Sequence, residues 1–175
     1  MTSVKMMKKI KEESRYVIKI SIPDSNIKKS RRRAAGLKNS KKKISPGGEL
    51  YGVVAEQLFL DNYGGELIDN KDYDINHPNI GRIDVKTKRC SSSPEEHYTC
   101  TVAEYQLKND CDYYAFYRIH NNLTIGWFLG IISKDDFLKN ATKLNKGEMD
   151  GDFVCKADCY NIKISELKTI PEVMS

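Results

Sequence analysis

Residues Lys71–Arg89, KDYDINHPNIGRIDVKTKR, constrain the fold more tightly than any other stretch of the chain. Tyr73-Asp74-Ile75-Asn76 alternates polar and apolar side chains, His77-Pro78-Asn79 carries turn residues, and Gly81 to Lys88 alternates again. That pattern predicts a β-hairpin. In its second strand Ile83, Val85 and Thr87 share one face, while Arg82, Asp84, Lys86 and Lys88 share the other. A turn centred on Asn79 sets Asp74 opposite Asp84, with Cβ atoms roughly 5 Å apart and Lys86 one step along the same face. Two facing carboxylates repel, so such a pair is avoided or bridged by a cation. A hard divalent ion with oxygen ligands is the natural bridge, and a lysine beside it would stabilise a developing anion or orient a water.

The elements around the hairpin follow from the same reasoning. Tyr16–Pro23 alternates like a short strand at a sheet edge. Ser45-Pro46-Gly47-Gly48 reads as a hinge, and Glu49–Tyr63 as a helix with a broad apolar face (Val53, Val54, Leu58, Phe59, Leu60) stopped by Gly64-Gly65. Glu56 lies mid-helix, directed either to solvent or over the sheet toward the acids. Glu66–Asn70 is expected to be a short strand, Cys90–Tyr98 a polar loop, and Thr101–Asn109 a second helix. Asp112–Ile119, dense in aromatic residues, is a strand. Leu123–Ile132 follows as a strand after an Asn121-Asn122 turn, then a short helix over Lys134–Leu144, a loop over Gly147–Asp152 and a closing strand Tyr160–Ile164. The aromatic residues of Asp112–Ile119, and Trp127, read as core.

Charge is unevenly distributed. Residues 1–48 hold fifteen Lys and Arg against three acids, and the remainder fourteen against twenty-one. Lys28–Lys43 alone has nine basic residues in sixteen, including Arg31-Arg32-Arg33 and Lys41-Lys42-Lys43, and no acid. Such a run repels itself and is expected to be extended, with a polyanion, most simply nucleic acid, as partner. The organisation expected is a basic N-terminal arm over residues 1–48 and one domain over 49–175. No apolar run approaches a membrane span and the N-terminus has no apolar signal core, so a cytoplasmic protein without membrane partners is expected. The five cysteines form no CxxC pair and read as reduced thiols; a zinc set of Cys90, His97 and Cys100 with Cys155 or Cys159 is the alternative. Gly47-Gly48 lacks the Walker pattern, and no small-molecule cofactor is expected.

An acid near a strand end, a hairpin, and then Ile83-Asp84-Val85-Lys86 resembles the PD-(D/E)xK nuclease superfamily, with its restriction-endonuclease-like fold. The element order from Glu49 to about Ile132 (helix, three strands, helix, strand) agrees with the core of that superfamily. The resemblance implies an α/β fold whose central mixed β-sheet is flanked by helices. It implies a Mg²⁺- or Mn²⁺-dependent DNA endonuclease, hydrolysing phosphodiesters by a metal-activated water. Asp74, Asp84 and the backbone carbonyl of Val85 would hold the metal, Lys86 would stabilise the transition state, and Glu56 would hold a water or a second ion. Arg31, Arg32, Arg33, Lys41, Lys42, Lys43, Lys88 and Arg89 would contact nucleic acid. A homodimer, with two sites for two strands, is a further expectation from the family. The chain departs from the pattern in having Tyr73 where the family has proline, and Asp72 competes as the first acid. A non-catalytic nucleic-acid-binding protein that keeps the fold is the alternative reading. A protein-interaction module addressed by its basic tail is a third.

Overall fold

The computed structural model describes residues 17–37 and 48–175. Lys41, Lys42, Lys43 and most of the Ser45–Gly48 hinge lie outside the described residues. The fold is mixed α/β. Its centre is a six-stranded mixed sheet of β1 (Ile18–Ser21), β7 (Ile125–Ser133), β6 (Tyr113–His120), β4 (Gly81–Cys90), β3 (Ile75–His77) and β2 (Glu66–Leu67), in that spatial order. The β4–β6 pair is parallel and every other pair antiparallel. A second, three-stranded sheet has β11 (Cys159–Lys163) between β5 (Thr99–Ala103) and β8 (Thr142–Leu144), and β9 (Met149–Asp150) with β10 (Phe153–Val154) makes a small hairpin.

Each face of the main sheet buries its own core. On one face Ile83, Val85, Tyr117, Ile119, Phe128 and Ile131 pack against Val54, Leu58 and Phe59 of helix α2 (Glu49–Tyr63). On the other, Tyr114, Phe116, Trp127 and Leu129 pack against Val102 and Ile162 of the second sheet and Phe137 of helix α3 (Lys134–Asn140). A short helix α4 (Ile170–Met174) closes the first core through Ile170. The aromatic strand and Trp127 are therefore core, as expected.

The hairpin forms with the anticipated register: Ile75 faces Ile83, Asn76 faces Arg82 and His77 faces Gly81, so one more step sets Asp74 across from Asp84. His77 fixes it to the helix layer, because its Nε2 meets the Tyr63 carbonyl at 3.0 Å and its Nδ1 accepts from the Asn79 N–H at 3.2 Å. At the hairpin exit Gly81 has φ +112°, and a Cβ there would lie 2.7 Å from Asp112 Oδ2. That same oxygen accepts the Arg82 N–H at 2.8 Å, so only glycine lets the backbone come this close.

Two expectations change. Thr101–Asn109 is not a helix: Thr101–Ala103 belongs to β5, followed by a single 3-10 turn over Glu104–Gln106. The alternating Cys100 and Val102 are buried against the far sheet, and pairing with β11 overrides the helical propensity of the segment. The connection between parallel β4 and β6 thus runs through a strand and a turn where a helix was expected. The Lys28–Arg33 part of the basic run is not extended either; it forms helix α1 (Asp24–Gly36), packed on α2. Its buried Asn26 and Ser30 are small enough for close approach, Asn26 Nδ2 donating to the Val54 carbonyl at 3.5 Å. Residues expected to form an arm thereby contribute β1 and α1 to the domain, β1 sitting at a sheet edge as its alternation suggested. Two smaller departures follow: the helix from Lys134 ends at Asn140 with Thr142–Leu144 in strand β8, and the expected Gly147–Asp152 loop contains strand β9 and the turn into β10, where Gly151 takes φ +59°.

Candidate active site

Strand alternation turns Asp84 and Lys86 to the face of the sheet that carries Tyr114 and Phe116, their neighbours on β6. Asp84 is buried at 6% exposure and Asp74 at 8%. Asp74 Oδ2 accepts the Val85 N–H at 2.8 Å, which anchors one carboxyl to the backbone between the other acid and the lysine. Lys86 Nζ lies 2.9 Å from Asp84 Oδ2 and acts as its counter-ion. Burial pushes the Asp84 carboxyl up to about 6, held back by Lys86 and reinforced by the charge of Asp74, which lies within hydrogen-bonding reach. Two buried acids and one lysine leave an excess negative charge at the site. That is the electrostatic condition under which a hard cation is favoured.

The donor set fits such an ion in kind: carboxylate oxygens and a peptide at Val85. It is small in number. Among the described residues no group of three or more His, Cys, Asp or Glu side chains is placed to hold a metal ion. The zinc set considered for the cysteines is covered by the same observation; Cys155 and Cys159 sit with Sγ atoms 3.6 Å apart, and all five thiols are free.

A cavity of about 490 Å³ opens over the pair, lined by Glu56, Asp72, Asp74, Asp84, Val85 and Lys86 among others. Glu56 is buried and faces this cavity, but its Oε2 is engaged by Arg33 Nη2 at 2.6 Å. Arg33, expected among the nucleic-acid contacts, is therefore a partner of Glu56, while Arg31 and Arg32 are exposed on α1. Asp72, the competing first acid, lies in a turn capped by Asn70 Oδ1 at 2.8 Å; the residue across from Asp84 is Asp74.

Beyond Lys86 the cavity runs into a groove of about 990 Å³ that holds Lys88, Arg89, Arg118 and Lys156. Three of its cations lie over aromatic rings: Arg89 over Tyr51 at 4.5 Å, Lys88 over Phe153 at 5.1 Å and Arg118 over Tyr98 at 5.1 Å. Each such pair contributes on the order of 1 kcal/mol and holds the cation in place. Sequence reasoning found Lys88 and Arg89 but missed Arg118, Tyr98 and Lys156. Arg118 carried a signal, since it follows Tyr114 and Phe116 as a cation on the inward face of an otherwise apolar strand.

A scan against protein-family models finds no match to this chain, and a search of curated proteins finds none similar to it. Among the described residues no helix is long and apolar enough to cross a membrane.

Proposed function

We propose that the protein is a Mg²⁺- or Mn²⁺-dependent DNA endonuclease of the restriction-endonuclease-like kind. The observation that carries this reading is the buried Asp74–Asp84 pair with Lys86 beside it, at the mouth of a groove rich in cations. Asp74, Asp84 and the Val85 carbonyl would hold the ion. When bound, it supplies charge neutralisation at a phosphate and a water of lowered pKa. The chain's own residues do the rest. Asp74, tied to the Val85 N–H, fixes one carboxyl in place. Lys86, 2.9 Å from Asp84, would direct its ammonium to the phosphoryl oxygens as negative charge builds on them, or hold the attacking water. Glu56, oriented by Arg33, sits on the cavity wall where it would position a second water. Lys88 and Arg89 continue along the groove and would grip the backbone, with Arg31 and Arg32 exposed to assist. A homodimer that cuts two strands is part of the proposal and rests on the family resemblance.

One observation favours a second reading, a non-catalytic nucleic-acid-binding protein with this fold: Lys86 already neutralises Asp84 at 2.9 Å. Incubating supercoiled plasmid and a branched four-way DNA with Mg²⁺ or EDTA separates the two. Metal-dependent nicking that disappears in Lys86→Ala is expected. Intact DNA in every lane, with retained binding, would replace the nuclease by the second reading.

A further inference from the structure

Four residues beyond Asp84 on the same face of β4 stands a second pair of like charges, this time positive. Lys88 and Arg118 are register partners on parallel β4 and β6, so their side chains leave the sheet side by side. Like charges placed directly opposite one another are destabilising, and both side chains are half-buried. Among the described residues neither makes an ion pair with a carboxylate. Arg118 Nη2 donates to the Thr99 carbonyl at 3.2 Å, but its Nε is shut off from solvent with no hydrogen-bond partner. The acid closest in effect, Asp150, spends Oδ2 on the Thr99 hydroxyl and on Asn161 Nδ2 at 2.8 Å. Cys100 and Cys159 also face Lys88, yet burial pushes their thiols up to about 12 and about 11, so neither supplies a negative charge. Burial, and then Arg118, lower the Lys88 ammonium below its ordinary value.

We propose that Lys88 and Arg118 form a phosphate-binding subsite that seats a backbone or terminal phosphate of a polynucleotide strand. The ring stacking presets both cations: Lys88 Nζ lies 5.1 Å from the Phe153 ring and the Arg118 guanidinium 5.1 Å from the Tyr98 ring, and all four residues line the groove that an oxyanion would enter. Along a strand four residues span about 13 Å, so the subsite lies on the same track as the Asp74–Asp84 pair without sharing a residue with it. Because the aromatic faces are taken by cations, the site reads phosphate and not base. The affinity for phosphate stands on this geometry alone; only the choice of a polynucleotide as its source rests on the proposed nuclease function.

The test is fluorescence anisotropy with the full chain in EDTA, using labelled single-stranded oligonucleotides that carry a 5′-hydroxyl or a 5′-phosphate, with inorganic phosphate as competitor. Lys88→Met/Arg118→Gln is expected to weaken binding by roughly 10- to 100-fold. It should also reduce the slope of log affinity against log salt by about 0.7 for each phosphate that is no longer neutralised. Lys88→Arg, which keeps the charge, should bind like wild type. An equal loss for both probes marks an internal phosphodiester, and a loss confined to the phosphorylated probe marks a terminal phosphate; either supports the subsite. Unchanged affinity and salt slope in a double variant that melts cooperatively would overturn it. Should that variant fail to fold, Lys88→Gln alone serves, and wild-type binding there overturns the proposal equally. Wild-type protein that cleaves nothing in Mg²⁺ but shows the binding loss would sink the nuclease and spare the subsite.

Discussion

Replacing Asp84 by Asn asks whether the carboxylate pair is under electrostatic stress. The Asp84 carboxyl, ordinarily near 3.8, is raised to about 6, chiefly by burial and with Asp74 adding to the shift against Lys86. A folded-state value above the unfolded one means that the folded protein binds the proton more tightly. The stability linked to that proton is fully present below pH 3.8 and is lost as pH rises through about 6. Two units correspond to about 3 kcal/mol. Asp84→Asn keeps the shape and removes the titration. Its stability relative to wild type should therefore rise by about 2 kcal/mol between pH 4 and pH 7 and change little above. Urea denaturation of both proteins in EDTA at pH 4, 5, 6 and 7 measures this, since the difference cancels titrations common to the two. A flat difference would refute the reasoning. So would a variant that loses ground as pH rises, because Lys86 would then hold the Asp84 carboxyl below its ordinary value.

Three further outcomes follow from particular side chains. Arg33→Met removes the 2.6 Å partner of buried Glu56 and should cost about 1–3 kcal/mol in thermal or urea melts, most of it recovered by adding Glu56→Gln. Gly81→Ala sets a Cβ against Asp112 Oδ2 at φ +112° and should destabilise the fold by about 2 kcal/mol, with the Arg82–Asp112 pair loosened. Mn²⁺ affinity should strengthen as pH rises from 4 to about 6 and then level off, because the ion competes with the proton on Asp84; calorimetric titration across that range reads it directly.

The parts of this protein that were legible in its sequence are those set by local pattern. Alternation about Asn79 fixed the hairpin register and hence the facing of Asp74 and Asp84, and the apolar run with its Gly64 stop delimited Glu49–Tyr63. The parts that were not legible depend on partners far along the chain. Thr101–Ala103 becomes a strand because Cys159–Asn161 pairs with it, more than fifty residues on. In sequence Arg33 is one more cation in a basic run, and only the fold brings Glu56, twenty-three residues later, against its guanidinium. Arg118 joins Lys88 only through parallel strand pairing, which no local signal announces.

The proposed function requires Asp74 and Asp84 together to bind a divalent cation. Calorimetric titration of Mn²⁺ at pH 7 into wild type, Asp84→Asn and Asp74→Asn tests it most directly. Saturable binding to the wild type that weakens at least tenfold in each variant is expected. Binding that is absent from the wild type, or equal in all three proteins, would contradict it.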